Sequence, residues 1–302
     1  MGAIEIERLT KRYRGGRGVT DVDIDIHEGE VFGFIGPNGS GKSTTIRALL
    51  GLLAPTSGRA RILGVDVHED GPRARAEVGY VPSETSLYEG MTVEDTLRFA
   101  ARLRGTDDRR RSELCDAFDL DRGRDVGDLS LGNRKKVALV MALEHSPRVL
   151  ILDEPTGGLD PLMQARLFEV LLEEQRRGVT VFFSSHVLNE VQRTCSRVAI
   201  LKDGRVIETS SVDALRAKQT KRVHVVLSSN IAVASCTKLA GATQLERHGE
   251  RLSFLYAGAI PTLLSALAAD AVLDVAIEEP SLEEIFLRHY EGGTDARSAA
   301  VA

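Results

Sequence analysis

The sequence predicts an α/β fold with a mixed sheet at its core and a small α+β appendage after about residue 218. Three observations lead there. A glycine-rich loop, Gly36-Pro37-Asn38-Gly39-Ser40-Gly41-Lys42-Ser43, stands between an apolar run at 31–35 and a helix-forming stretch at 42–50. Apolar strand patterns at 149–153 and 179–184 alternate with helical ones through the middle of the chain. Antiparallel-type strand patterns lie at both ends, so the sheet is mixed.

Taken in order, residues 4–9 and 22–26 alternate apolar and polar side chains, as half-buried strands do. Between them lie Tyr13 and a turn rich in Gly and Arg. Gly51 ends the helix after the loop, and Pro55-Thr56-Ser57-Gly58 reads as a turn. Residues 59–63 and 78–81 are further strands. Thr92-Val93-Glu94-Asp95 has capping-box spacing and opens a helix to about Arg104. A second helix covers 109–118; its Arg109-Arg110-Arg111 run lies beside Asp107 and Asp108 and reads as a solvated helix start. Ser130 caps a helix to about His145. Pro161 at the first helical position starts a long helix to about Arg177, closed by Gly178. Residues 198–201 and 205–208 flank Asp203-Gly204 as a hairpin. In the appendage, 223–227, 244–247, 252–256 and 272–277 read as strands, His248-Gly249-Glu250 as a turn and 261–268 as a helix. Ser281-Leu282-Glu283-Glu284 opens a last helix to about Tyr290. Residues 291–302 read as a disordered tail.

Composition narrows the function. A net charge of −5 over 302 residues leaves no basic surplus to suggest nucleic acid as the main partner. No apolar run approaches the roughly 20 residues of a membrane helix, so a membrane role has to come through a partner. Acids among the first residues, Glu5 and Glu7, do not fit a secretory leader. Cys115, Cys195 and Cys236 are odd in number and lack metal-ligand spacing, as reduced cytoplasmic thiols do.

The loop matches G-x-x-x-x-G-K-[ST], which binds phosphate in nucleotide hydrolases. Its glycines let backbone N–H groups close on phosphate oxygens, and the helix N-terminus adds unpaired donors. Lys42 can place a charge on the β- and γ-phosphates, Ser43 can bind Mg²⁺, and Thr44 is a further nucleotide-binding candidate. Asp153 ends an apolar strand, where a Mg²⁺-binding carboxylate is expected, and Glu154 follows it. In an extended chain adjacent side chains diverge, so Asp153 can face the metal and Glu154 the attacking water. His186 ends the next apolar strand, within reach of the γ-phosphate.

Residues 3–215 resemble the ATP-binding cassette ATPases. Ile151-Leu152-Asp153-Glu154-Pro155-Thr156-Gly157-Gly158-Leu159-Asp160 resembles their Walker B segment and D-loop. Leu129-Ser130-Leu131-Gly132-Asn133 resembles their LSGGQ signature, Ser184-Ser185-His186 their H-loop, and Lys11-Arg12-Tyr13 their A-loop. The resemblance implies a P-loop NTPase cassette over 1–217, with an antiparallel β subdomain and a helical subdomain at about 84–147. Residues 218–290 would be a regulatory or dimer-supporting domain. Tyr13 would stack on adenine, Glu154 would be the general base, and His186 would hold the γ-phosphate and the water. Two copies would pair head to tail, with Ser130 and Gly132 of one closing over the ATP of the other and Asp160 linking the sites.

Two positions depart from the family pattern. Leu131 and Asn133 replace the signature's usual Gly and Gln. After Gly79-Tyr80-Val81-Pro82 the Q-loop glutamine is replaced by Ser83, followed by Glu84. This Pro-Ser-Glu, together with Ser130-Leu131-Gly132-Asn133-Arg134-Lys135-Lys136, resembles the antibiotic-resistance exporters of the bacitracin and daunorubicin types. In that group the cassette and the membrane permease are often separate chains. The resemblance implies an ATP- and Mg²⁺-dependent ATPase on the inner face of the cell membrane, with Leu87, Tyr88, Met91 and Val93 near the permease. The alternatives are a soluble cassette acting on nucleic acid or the ribosome, and a regulatory ATPase module. Cargo is left open, because the permease selects it.

Overall fold

A computed structural model describes residues 2–106, 108–217, 221–228, 239–268 and 272–278. The chain divides into two compact units, Met1–Ser211 and Val212–Ala302. The first opens with β1 (Gly2–Arg12), β2 (Gly18–His27) and β3 (Val31–Ile35), followed by α1 (Lys42–Leu49). Next come β4 (Ser57–Ile62), β5 (Val65–Asp66), α2 (Gly71–Ala76) and β6 (Val78–Val81). The helices α3 (Val93–Arg104), α4 (Asp108–Ala117) and α5 (Leu131–Leu143) precede β7 (Val149–Asp153). The unit closes with α6 (Pro161–Arg176), β8 (Thr180–Ser185), α7 (Leu188–Thr194), β9 (Arg197–Lys202) and β10 (Arg205–Ser211). The second unit holds α8 (Val212–Ala217), β11 (Lys221–Leu227), β12 (Ala242–His248), β13 (Arg251–Tyr256), α9 (Ile260–Ala268) and β14 (Val272–Glu278).

The central sheet has the order β10-β9-β3-β8-β7-β6. Its pairs are parallel except β9 with β10, so the sheet is mixed. Every residue of β3, β7 and β8 is buried, which is why the middles of these strands read as apolar runs rather than alternations. Phe34 and Phe182 meet across β3 and β8 with ring centroids 5.4 Å apart. A separate antiparallel sheet, β2-β1-β4-β5, supplies the alternating strands at the start of the chain. In the second unit β12-β13-β11-β14 is antiparallel, and Leu263 and Leu267 of α9 join Val223, Val225 and Phe254 in its core.

Parallel β3, β8 and β7 are neighbours, so their C-terminal ends open on one edge. The glycine-rich loop, His186 and Glu154 each leave the sheet there. Open α/β sheets bind ligands at such an edge.

The structure corrects several local expectations. Ser57 and Gly58 lie in β4 rather than in a turn; a register shift between Glu7 and Thr10 absorbs them. Val93 is fully buried at the start of α3, so it cannot offer a docking surface, whereas Tyr88 is exposed. The Thr92 hydroxyl accepts from Asp95 N at 3.1 Å, as a cap should. It also donates to Asp95 Oδ2 at 2.8 Å, in place of the reciprocal bond to its own backbone. The sequence reading names no element at β5, α2, α7 or α8, each of two to seven residues. Such short pieces depend on packing rather than on pattern. The expected helix after Ser281 and the tail at 291–302 lie outside the described residues.

Glu144 sits at the C-cap of α5, 2% exposed, where the helix dipole is negative. Neither carboxylate oxygen has a hydrogen-bond partner among the described residues. Burial raises its pKa from 4.5 to about 7, against the opposing pull of Arg111 and Arg104. The fold therefore holds a proton that the unfolded chain has lost, and stability falls as pH rises from 4.5 through about 7. Glu144→Gln should raise stability by about 1–3 kcal/mol at pH 8 and by much less at pH 5, read from urea midpoints at the two pH values.

Candidate active site

The glycine-rich loop connects β3 to α1. Gly41 is the N-cap of α1 with φ 113°, a conformation that a side chain would strain. Asn38, Gly39, Gly41, Lys42, Ser43 and Thr44 line a cleft of about 410 Å³, with Ser83, Glu84 and Glu154 on its other walls. Gly36 and Pro37 form the back of the loop, where their carbonyls accept from Lys42 Nζ at 2.7 and 3.3 Å. Ser40 is 4% exposed, and its hydroxyl has no hydrogen-bond partner among the described residues.

Three strand ends bring the charged groups together. Lys42 Nζ lies 3.1 Å from Glu154 Oε1, and His186 Nδ1 lies 3.3 Å from Glu154 Oε2. Asp153 is fully buried and pairs in register with Ser184 of β8. The Ser184 hydroxyl donates to Asp153 Oδ1 at 2.6 Å and accepts from Glu154 N at 3.2 Å. The two carboxylates do separate, but not by strand alternation. Glu154 has left the strand, with φ 49°, in the left-handed region that a non-glycine residue seldom enters. That turn aims it at Lys42 and His186, while Asp153 stays in the sheet.

Asp153 Oδ2 is buried and has no hydrogen-bond partner among the described residues. With Ser43 in the cleft wall, it fits a cation bound beside a phosphate. No group of three or more His, Cys, Asp or Glu that could hold a metal occurs among the described residues. A cation here would draw its remaining ligands from water and phosphate, as Mg²⁺ commonly does.

The other expected site residues stand farther out. Tyr13 is 43% exposed in the β1–β2 connection, with the Lys11 ammonium 5.7 Å from its ring centroid. Ser130 is exposed and caps α5, its hydroxyl accepting from Asn133 N at 3.3 Å. Gly132 serves its own chain: a Cβ there would stand 2.4 Å from the Gly158 carbonyl oxygen. Asp160 caps α6, accepting from Met163 N at 2.9 Å.

Sequence reasoning named two residues only as members of motifs and gave neither a role. One is Ser184, whose signal was a hydroxyl directly after the apolar run Val181-Phe182-Phe183. The other is Lys135 of α5, which donates to the carbonyls of Pro82 and Ser83 at 2.8 and 2.7 Å. Replacing Ser184 by Ala strips Asp153 of its hydrogen bond in a dry setting. Ser184→Ala should cost about 1–3 kcal/mol of stability in urea unfolding, whereas a surface serine would cost almost nothing.

Comparison with known proteins identifies the family. Residues 19–157 match the profile of the ABC transporter family. The bacitracin transport ATP-binding protein BcrA of Bacillus licheniformis is 32% identical across 96% of this chain and 98% of its own length. The probable multidrug ABC transporter ATP-binding protein YbhF of Escherichia coli is 37% identical across 71% of this chain. That match spans only 38% of YbhF. A solved ATP-binding subunit of an ABC transporter superposes with a TM-score of 0.66 at 32% identity, over 71% of this chain and 92% of the other. A glycine-rich loop beside Glu154 and His186, on this sheet and with a relative matched over nearly its whole length, places the chain in the ABC transporter family, among its ATP-binding proteins.

Proposed function

We propose that the chain is the ATP-binding and ATP-hydrolysing subunit of an exporter whose permease is a separate membrane chain. The observation that carries the reading is the convergence of Lys42, Glu154 and His186 on one cleft at the N-terminus of α1. Phosphates of ATP lie along the loop, and Lys42 exchanges Glu154 for phosphate oxygen. Glu154, freed from that pair, takes a proton from a water that attacks the γ-phosphorus in line. The bond from the γ-phosphorus to the β–γ bridging oxygen breaks, and ADP leaves with that oxygen. His186 orients Glu154 and the water. Asp153 and Ser43 would hold Mg²⁺, which would supply positive charge beside the phosphate oxygens.

Exposed Tyr13 offers a face to adenine. Exposed Ser130, at the start of α5, supports a head-to-tail pair in which Ser130 and Gly132 of a second copy complete each site. The end-to-end match with a bacitracin transport protein supports a drug, antibiotic or lipid-like cargo and a place on the inner face of the cell membrane. No helix among the described residues is long and apolar enough to cross a membrane, in keeping with a separate permease. The second unit serves as a regulatory or dimer-supporting domain. ATP drives closure because it binds the closed pair better than the open one.

Glu154→Gln should keep ATP binding and lower turnover by about 10²–10⁴-fold. The two are read by nucleotide titration and by phosphate release from the full chain. Undiminished phosphate release would remove Glu154 as the base.

A further inference from the structure

Lys135 is 1% exposed, on the second turn of α5. A buried ammonium is costly unless its donors are met. Here they are met by the main-chain carbonyls of Pro82 and Ser83, at 2.8 and 2.7 Å. Burial draws the ammonium's pKa down, and the nearby Asp153 and Glu154 act to raise it, so the group lies within the field of the reacting carboxylates. The residues it holds are the entry to the cleft wall: Ser83 and Glu84 face the space lined by Lys42, Ser43 and Glu154.

We propose that Lys135 is a positioning residue for ATP hydrolysis: by fastening Pro82 and Ser83 to α5, it sets the Ser83 and Glu84 side chains in the phosphate cleft. A long side chain can search for its target from a loosely held backbone. A serine hydroxyl is one carbon from the main chain, so its position is the position of its backbone. The tether is attached at that residue's own carbonyl. It also joins the cleft wall to the helix that begins at Ser130 and rests against Gly158 through Gly132. A movement of α5 therefore reaches Ser83 directly. This inference rests on the reading of the cleft as the site of hydrolysis.

The test is steady-state ATP hydrolysis by the full chain, with Glu154→Gln as the reference. Lys135→Met, similar in length but without donors, should lower kcat about tenfold or more and leave KM for ATP within about threefold. In a Ser83→Ala/Glu84→Ala background the same change should cost less than about twofold further, because the groups that it positions are gone. An unchanged kcat in Lys135→Met, or an equal loss in both backgrounds, overturns the proposal. Should Lys135→Met fail to fold, Lys135→Gln decides, since it keeps N–H donors without the charge. A kcat within about threefold of the parent supports the tether, and a larger loss overturns it. Full hydrolysis by Glu154→Gln would instead defeat the reading of the cleft itself.

Discussion

One hydroxyl organises the reacting edge of this protein. Ser184 stands opposite Asp153 in the β7–β8 ladder, donates to its Oδ1 and accepts from the backbone N–H of Glu154. Had the strand continued, the two consecutive carboxylates would point to opposite faces of the sheet. The hydroxyl fastens the first to the sheet. It also holds the amide of the second as the chain turns into the left-handed region. Glu154 then swings to the lysine of the phosphate loop and to His186. Strand order makes this possible, because β3, β8 and β7 are adjacent and parallel, and all three deliver their ends to one edge.

A second organising element is α5. Its N-terminus presents Ser130 to solvent, its first turn lies against the backbone after Glu154, and Lys135 holds the segment after β6. Three features thus rest on a single helix.

Much of this was legible in the residues. The phosphate loop declares itself by local pattern, because its glycines, lysine and flanking strand and helix are consecutive. The fully buried strands do so by apolar runs, and the helices α3, α5 and α6 by Thr92, Ser130 and Pro161 at their starts. What escaped depends on contacts between distant residues. Nothing in Asp153-Glu154 announces that the second residue leaves the strand, since the cause lies at Ser184. Lys135 reads as an ordinary polar helix residue until β6 is packed beside it. Val93 reads as a surface candidate until Asp125 and Arg124 close over the start of α3, where its N–H donates to Arg124 O at 2.9 Å. Ser57 and Gly58 carry strong turn composition, yet pairing with β1 draws them into a strand.

The division between the two carboxylates is most directly tested by nucleotide affinity with and without Mg²⁺. A slowly hydrolysed ATP analogue would be titrated against the full chain carrying Asp153→Asn or Glu154→Gln. Glu154→Gln should retain the tightening that Mg²⁺ confers on the parent, and Asp153→Asn should lose it. The opposite pattern, or an equal response in both variants, would contradict the assignment of the buried carboxylate to the cation and the turned one to the water.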